Sequence, residues 1–153
     1  MESVWDYPRP PRLERTTRRL RVLFSGELIA DTTQAWRLLE TSHPPAYYIP
    51  PAHVRTQFLH RIAKRSFCEF KGTATYWDLQ AGNRTSSAAA WSYESPTHAY
   101  RDLANHLCFY AGRADECYVD DLLVIPQPGD FYGGWITPDL KGPFKGIPGS
   151  SGW

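Results

Sequence analysis

Phe67-Cys68-Glu69-Phe70-Lys71-Gly72-Thr73-Ala74-Thr75-Tyr76-Trp77, running on to Gln80, is the stretch that decides the fold. Apolar and polar residues alternate along it with the period of a strand, and the aromatic and β-branched content favours sheet over helix. Gly72 marks a bend in one long strand or a bulge between two. Ala81-Gly82-Asn83 then reads as a turn, and Arg84 to Tyr93 returns as the partner strand.

Short segments of the same kind lie on both sides. Leu20 to Phe24 and Leu28-Ile29-Ala30 flank Ser25-Gly26, a hairpin signal. Ala35 to Ser42 gives a further strand, stopped by His43-Pro44-Pro45 because proline removes a ladder donor and biases its predecessor to extended geometry. Tyr47 to Ile49, Leu107 to Tyr110, Cys117 to Val119 and Leu122 to Ile125 are brief extended pieces separated by turn residues. Two short helices are expected, over Ala52 to Leu59 and His98 to Asn105. Many short strands and few helices predict a mainly β chain (α+β at most), built as an antiparallel barrel or sandwich.

The chain divides into three parts. Residues 1–19 form a Pro/Arg-rich arm, 20–125 a single β-rich domain, and 126–153 a tail. Seven of the eleven glycines lie in the last 25 residues, among Phe131, Tyr132, Trp135, Phe144 and Trp153. Glycine alone suggests disorder, but rings at this density offset ordering entropy and predict a tail packed on the domain.

Net charge is +1 in 153 residues, so the whole-molecule field favours neither nucleic acid nor an anionic membrane. Arg9, Arg12, Arg15, Arg18, Arg19 and Arg21 are the local exception, read as a solvated arm or as a phosphate contact. Cys68, Cys108 and Cys117 are an odd number with no paired spacing, which argues against a disulfide scaffold and against a structural zinc site. No hydrophobic leader opens the chain and no apolar run approaches a membrane span, so a reduced cytoplasmic protein is expected. Walker A, G-x-G-x-x-G, H-E-x-x-H and G-x-S-x-G sequences are absent, and neither metal nor cofactor is expected.

Polar groups placed among aromatics supply the candidate site. Alternation sets Glu40 on the face of Leu38, where an ionised carboxylate needs a partner, and His43 precedes two prolines. Glu69 and Lys71 share a strand face: a surface ion pair, or an anion hook and its orienter if that face lines a cavity. Trp91 and Tyr93 share a face behind small Ala88, Ala89 and Ala90. Cys68 reads as a small buried hydrophobe or, in an electropositive setting, a reactive thiol.

The Glu40-Thr41-Ser42-His43-Pro44-Pro45 run into Tyr47-Tyr48-Ile49-Pro50, Cys68-Glu69-Phe70-Lys71-Gly72 with Tyr76, Ala90-Trp91-Ser92-Tyr93-Glu94, Phe109-Tyr110 with Gly112-Arg113, and Cys117-Tyr118-Val119-Asp120 together resemble the bacterial family of domain of unknown function 427. Phe70 stands where that family more often has Trp. The resemblance implies a compact β-rich domain of the β-tent or sandwich type with an aromatic pocket between sheets. The family is also labelled nucleotidyltransferase-like, a label this chain fits poorly, for it has no paired acidic motif to hold two magnesium ions.

The leading functional expectation is a small-ligand-binding domain. Tyr47, Tyr48, Trp77, Trp91 and Trp135 would wall the pocket, and Glu40, His43, Glu69, Lys71 and Arg113 would orient an anionic or nucleotide-like ligand. In a reaction, Lys71 or Arg113 would hold the anion and Glu40 would be the general base. A homodimeric structural or interaction module is the alternative. Nucleic-acid contact through the arginine arm comes third.

Overall fold

The computed structural model describes residues 1–153. The chain is mainly β, its larger sheets are antiparallel, and no barrel closes. One four-stranded sheet takes Leu59–Cys68, Gly72–Ala81, Arg84–Ser92 and Cys108–Phe109 in that spatial order. A second has Leu122–Leu123, Glu116–Val119, Leu20–Phe24 and Glu27–Thr32. A three-stranded sheet places Ala35–Leu39 between Arg12–Thr16 and Ala46–Tyr48. Glu2–Ser3 pairs in parallel with Leu140–Lys141, and Ile125–Pro126 pairs with Trp135–Ile136.

The deciding stretch is a hairpin rather than one bent strand. Cys68 opposes Gly72 in the register, and Glu69 to Lys71 form the turn between two ten-residue strands. Gly72 sits at φ +109°, a conformation L side chains rarely adopt, which is why the chain reverses there instead of merely bending. Glu69 and Lys71 therefore project from a turn, not from a shared strand face.

The helix expected over Ala52 to Leu59 is two 3-10 turns, Pro51–His53 and Thr56–Phe58. Leu59 already begins the next strand. Its run Leu59–Cys68 carries His60, Arg61, Lys64 and Arg65 on an edge of its sheet, so it lacks a clean apolar alternation. Charge on an edge strand also blocks pairing with other chains. The second expected helix is a kinked 3-10 segment, His98–Leu103.

Two cores result. The larger, built around Leu20, Val22, Ile29, Leu79, Phe109 and Trp135, is aliphatic in the main. The smaller gathers Tyr48, Tyr76, Trp91, Tyr93, Tyr100 and Tyr110. Most of the apolar burial that stabilises the chain lies in the first; the second is aromatic, hydroxyl-rich and beside the main cavity.

Both chain ends are woven into the body. Arg12–Thr16 is paired along its whole length with Ala35–Leu39, and Val4 is fully buried. In the tail, Trp135 is fully buried and its Nε1 donates to the Phe109 carbonyl at 2.8 Å. No helix is long and apolar enough to cross a membrane.

Candidate functional site

A cavity of about 440 Å³ lies between the aromatic core, the Cys68–Gly72 hairpin, the loop from Glu40 to Pro45 and the tail segment around Tyr132 to Gly134. Strand alternation decides which aromatic of each adjacent pair faces it. Tyr48 turns toward the cavity, whereas Tyr47 turns to the larger core and packs on Trp135 with ring centroids 5.3 Å apart. Tyr76 lines it, whereas Trp77 points to the opposite face and donates Nε1 to Ser92 Oγ at 3.0 Å.

Trp91, Tyr93 and Tyr110 complete the aromatic wall. Trp91 stands edge-on to Tyr48 with centroids 6.3 Å apart, and tilts against Tyr110 at 4.7 Å. Its Nε1 donates to the Tyr48 hydroxyl at 3.3 Å. Burial pushes the Tyr48, Tyr93 and Tyr110 hydroxyls above the ordinary phenol range, so all three stay neutral. Cys68 borders the cavity and is partly exposed, while Cys108 and Cys117 are buried.

Six of the ten expected site residues line this space: Glu40, His43, Tyr48, Glu69, Lys71 and Trp91. Tyr47, Trp77, Arg113 and Trp135 do not. Arg113 stacks 3.9 Å over the outer side of Tyr110 and binds the Ala88 carbonyl and Asp130, which makes it a clamp between strand and tail. Tyr47 instead borders a smaller polar cavity of about 220 Å³ with Arg18, Arg37 and Asp139. Sequence reasoning did not count Tyr76, Tyr93 and Tyr110 among the site residues, whereas Tyr132 lines the cavity from the tail as the aromatic density there suggests. The signal for Tyr93 was present, since it shares a strand face with Trp91.

The polar groups differ in how far the protein already satisfies them. Glu40 faces Arg9 Nε at 3.4 Å across a partly exposed rim. Lys145 Nζ donates to the Trp153 backbone carbonyl at 2.9 Å. The Lys71 ammonium, 5.8 Å from the centre of the Tyr93 ring, has no acidic or hydrogen-bonding partner in the protein. Gly133 lies so close to Trp91 that any side chain there would meet the indole, and this seats the tail against the aromatic wall.

The loop carrying Glu40 and His43 is fixed from both ends of the chain. Thr41 N–H donates to the Pro8 carbonyl at 3.2 Å and Ser42 N–H to the Val4 carbonyl at 3.0 Å. On its other side, Trp135 N–H donates to the Pro45 carbonyl and Lys145 N–H to the Ser42 carbonyl, both at 2.8 Å. Ser42 itself is held at φ +70° with its hydroxyl buried and unpartnered.

The N-terminal arginines are largely neutralised at the surface. Arg9 pairs with Glu40, Arg12 with Glu14, Arg18 with Asp120 and Asp139, Arg19 with Asp31, and Arg21 approaches Asp121. Arg15 stacks 4.7 Å over Trp36. No group of three or more His, Cys, Asp or Glu side chains is arranged to hold a metal ion.

Comparison with protein families matches residues 12–120 to the domain of unknown function DUF427, more than two thirds of the chain. The chain belongs to that family. No curated protein matches it.

Proposed function

We propose that this DUF427 domain binds a small planar anion in the aromatic cavity, with Lys71 holding the negative group. The observation that carries the reading is the unpaired Lys71 ammonium beside a space of about 440 Å³ walled by Tyr48, Tyr76, Trp91, Tyr93 and Tyr110. Small-molecule sites have this make-up, mostly apolar walls with a few placed polar groups. A cation without a protein partner at such a wall is free to pair with a ligand. Three unpaired thiols suit a reducing, cytoplasmic setting.

A thermal-shift panel of aromatic carboxylates and nucleoside monophosphates tests it. A ligand at a hundred times its dissociation constant stabilises the fold by about 2.7 kcal/mol, and Lys71→Met removes the shift. If no member of the panel raises the melting temperature at millimolar concentration, the reading fails.

A self-associating module is the second reading. Leu123 and Ile125 are 54% and 58% exposed on short strands that do not border the cavity. Sedimentation of the wild type against Leu123→Ser/Ile125→Ser decides whether that patch joins two copies.

A further inference from the structure

His43 differs from the other polar groups of the cavity because its two ring nitrogens have opposite fates. Nδ1 lies 2.9 Å from the Thr41 carbonyl oxygen. A carbonyl can only accept, so Nδ1 carries the proton. In the neutral ring the lone pair is then left on Nε2. That nitrogen has no protein donor, and it is not sealed from solvent as the unpartnered Ser42 hydroxyl is.

The ring is held in this orientation. The Thr41 carbonyl also accepts from Arg9 Nη2 at 3.1 Å, and Thr41 N–H is tied to Pro8. On the other side the imidazole stands edge-on to Tyr132, with centroids 4.9 Å apart and planes at 79°. Flipping the ring would put Cδ2 where Nδ1 stands and lose the bond, and the other tautomer would set a bare Nδ1 against the carbonyl oxygen, two acceptors in contact.

We propose that His43 Nε2 is the fixed hydrogen-bond acceptor of the cavity, and that it selects anions which also present an N–H or O–H donor. The assignment rests on the ligand-binding reading above and narrows its ligand class. The other cavity groups do not fill this role: Lys71 and the tyrosine hydroxyls offer protons, Glu40 is paired with Arg9 at 3.4 Å, and Glu69, an acceptor without a partner, sits exposed on the hairpin turn with nothing to fix its orientation. Gln127 is committed too, its amide bridging Gly134 N–H and the Lys145 carbonyl.

The charged groups facing His43 are Glu40, Lys145 and Arg9. Burial lowers the imidazole pKa from its ordinary value; the Thr41 carbonyl and Glu40 work against this, and Lys145 and Arg9 reinforce it. The ring is therefore neutral at neutral pH. Acidification puts a proton on Nε2 and turns the acceptor into a donor.

The experiment has two arms on the full chain. Nitrogen-15 NMR of the imidazoles at pH 7.5 reads the tautomer, and His43 is expected with Nδ1 protonated and Nε2 bare. A ring protonated on Nε2 overturns the proposal without any ligand being needed. In the second arm, calorimetry compares orotate, which has N–H donors beside its carboxylate, with benzoate, which has none. Wild type should prefer orotate about tenfold, roughly the worth of one good hydrogen bond to a ligand.

His43→Asn, which keeps an Nδ1-like donor and loses the far acceptor, should abolish that preference. His43→Gln, whose carbonyl reaches toward the Nε2 position, should restore part of it. An unchanged preference in His43→Asn, or equal binding of both anions by wild type, overturns the His43 assignment alone. If neither anion binds wild type, the anion-binding reading falls for this ligand class and takes the selectivity with it.

Discussion

Gly133→Ala probes the seating of the tail on the aromatic wall. The residue does not lie at positive φ, so alanine costs nothing through the backbone. The cost is steric. An added Cβ would stand 2.3 Å from Cη2 and 2.5 Å from Cζ3 of Trp91, and 3.4 Å from Cδ1 of Tyr110. Carbon atoms rest at about 3.5–4.0 Å, so the indole or the tail must move by more than about 1 Å.

An indole that yields strains its bond to the Tyr48 hydroxyl. Overpacking of this kind costs about 1–3 kcal/mol. In a chain of this size each kcal/mol lowers the melting temperature by about 2–4 °C, so the variant should melt roughly 2–12 °C below wild type. Near-UV circular dichroism should change as Trp91 reorients. Gly152→Ala, with no atom within 4 Å and no positive φ, is the matched control and should melt as wild type. A Gly133→Ala protein with the melting temperature and near-UV spectrum of its control would refute the seating of the tail on Trp91.

Three further outcomes are expected. Trp135→Ala removes a fully buried indole and its bond to the Phe109 carbonyl, and should cost about 3–5 kcal/mol in denaturant unfolding. Lys71→Met leaves no partner stranded and should change stability by less than about 0.5 kcal/mol, while removing any anion-dependent thermal shift. Stability should fall as pH drops below the ordinary histidine value of about 6.5, because burial lowers the folded His43 pKa and the unfolded chain then binds the extra proton. His43→Gln should flatten that slope. Around and below pH 4 a separate loss belongs to Asp31, Asp115 and Asp120, whose carboxyl pKa values are lowered by Arg19, Arg84 and Arg18 respectively.

The β class was legible where a strand has one buried face and alternates accordingly, as Leu20, Val22 and Phe24 do in one strand and Cys117 and Val119 in its neighbour. The Leu59–Cys68 strand escaped because it is an edge. With six exposed positions in the stretch His60 to Phe67 carrying no apolar period, nothing local separates it from a loop, and only its register with Gly72–Ala81 makes it a strand. Pro50-Pro51 gave a true signal of helical turn but not of its length. A 3-10 turn satisfies the same preference in three residues when the chain must immediately extend.

The site was legible by half, and the dividing line is the pleat. Tyr47 and Tyr48 are chemically alike and adjacent, so composition cannot say which one faces the cavity; the pairing of Ala46–Tyr48 with Ala35–Leu39 does. The same holds for Tyr76 and Trp77. The polar half depends on contacts still more distant in sequence. Glu40 and His43 share a loop whose shape is set by carbonyls of Val4 and Pro8 and by amides of Trp135 and Lys145. Strand periodicity carried Glu40 onto an apolar face and asked for a partner there. The partner is Arg9, from a segment that periodicity gave no reason to fold back. With Glu40 paired to Arg9 and the His43 Nδ1 proton engaged by the Thr41 carbonyl, the unengaged acceptor of this loop is the imidazole rather than the carboxylate, an outcome that depends on where the two ends of the chain meet the loop between them.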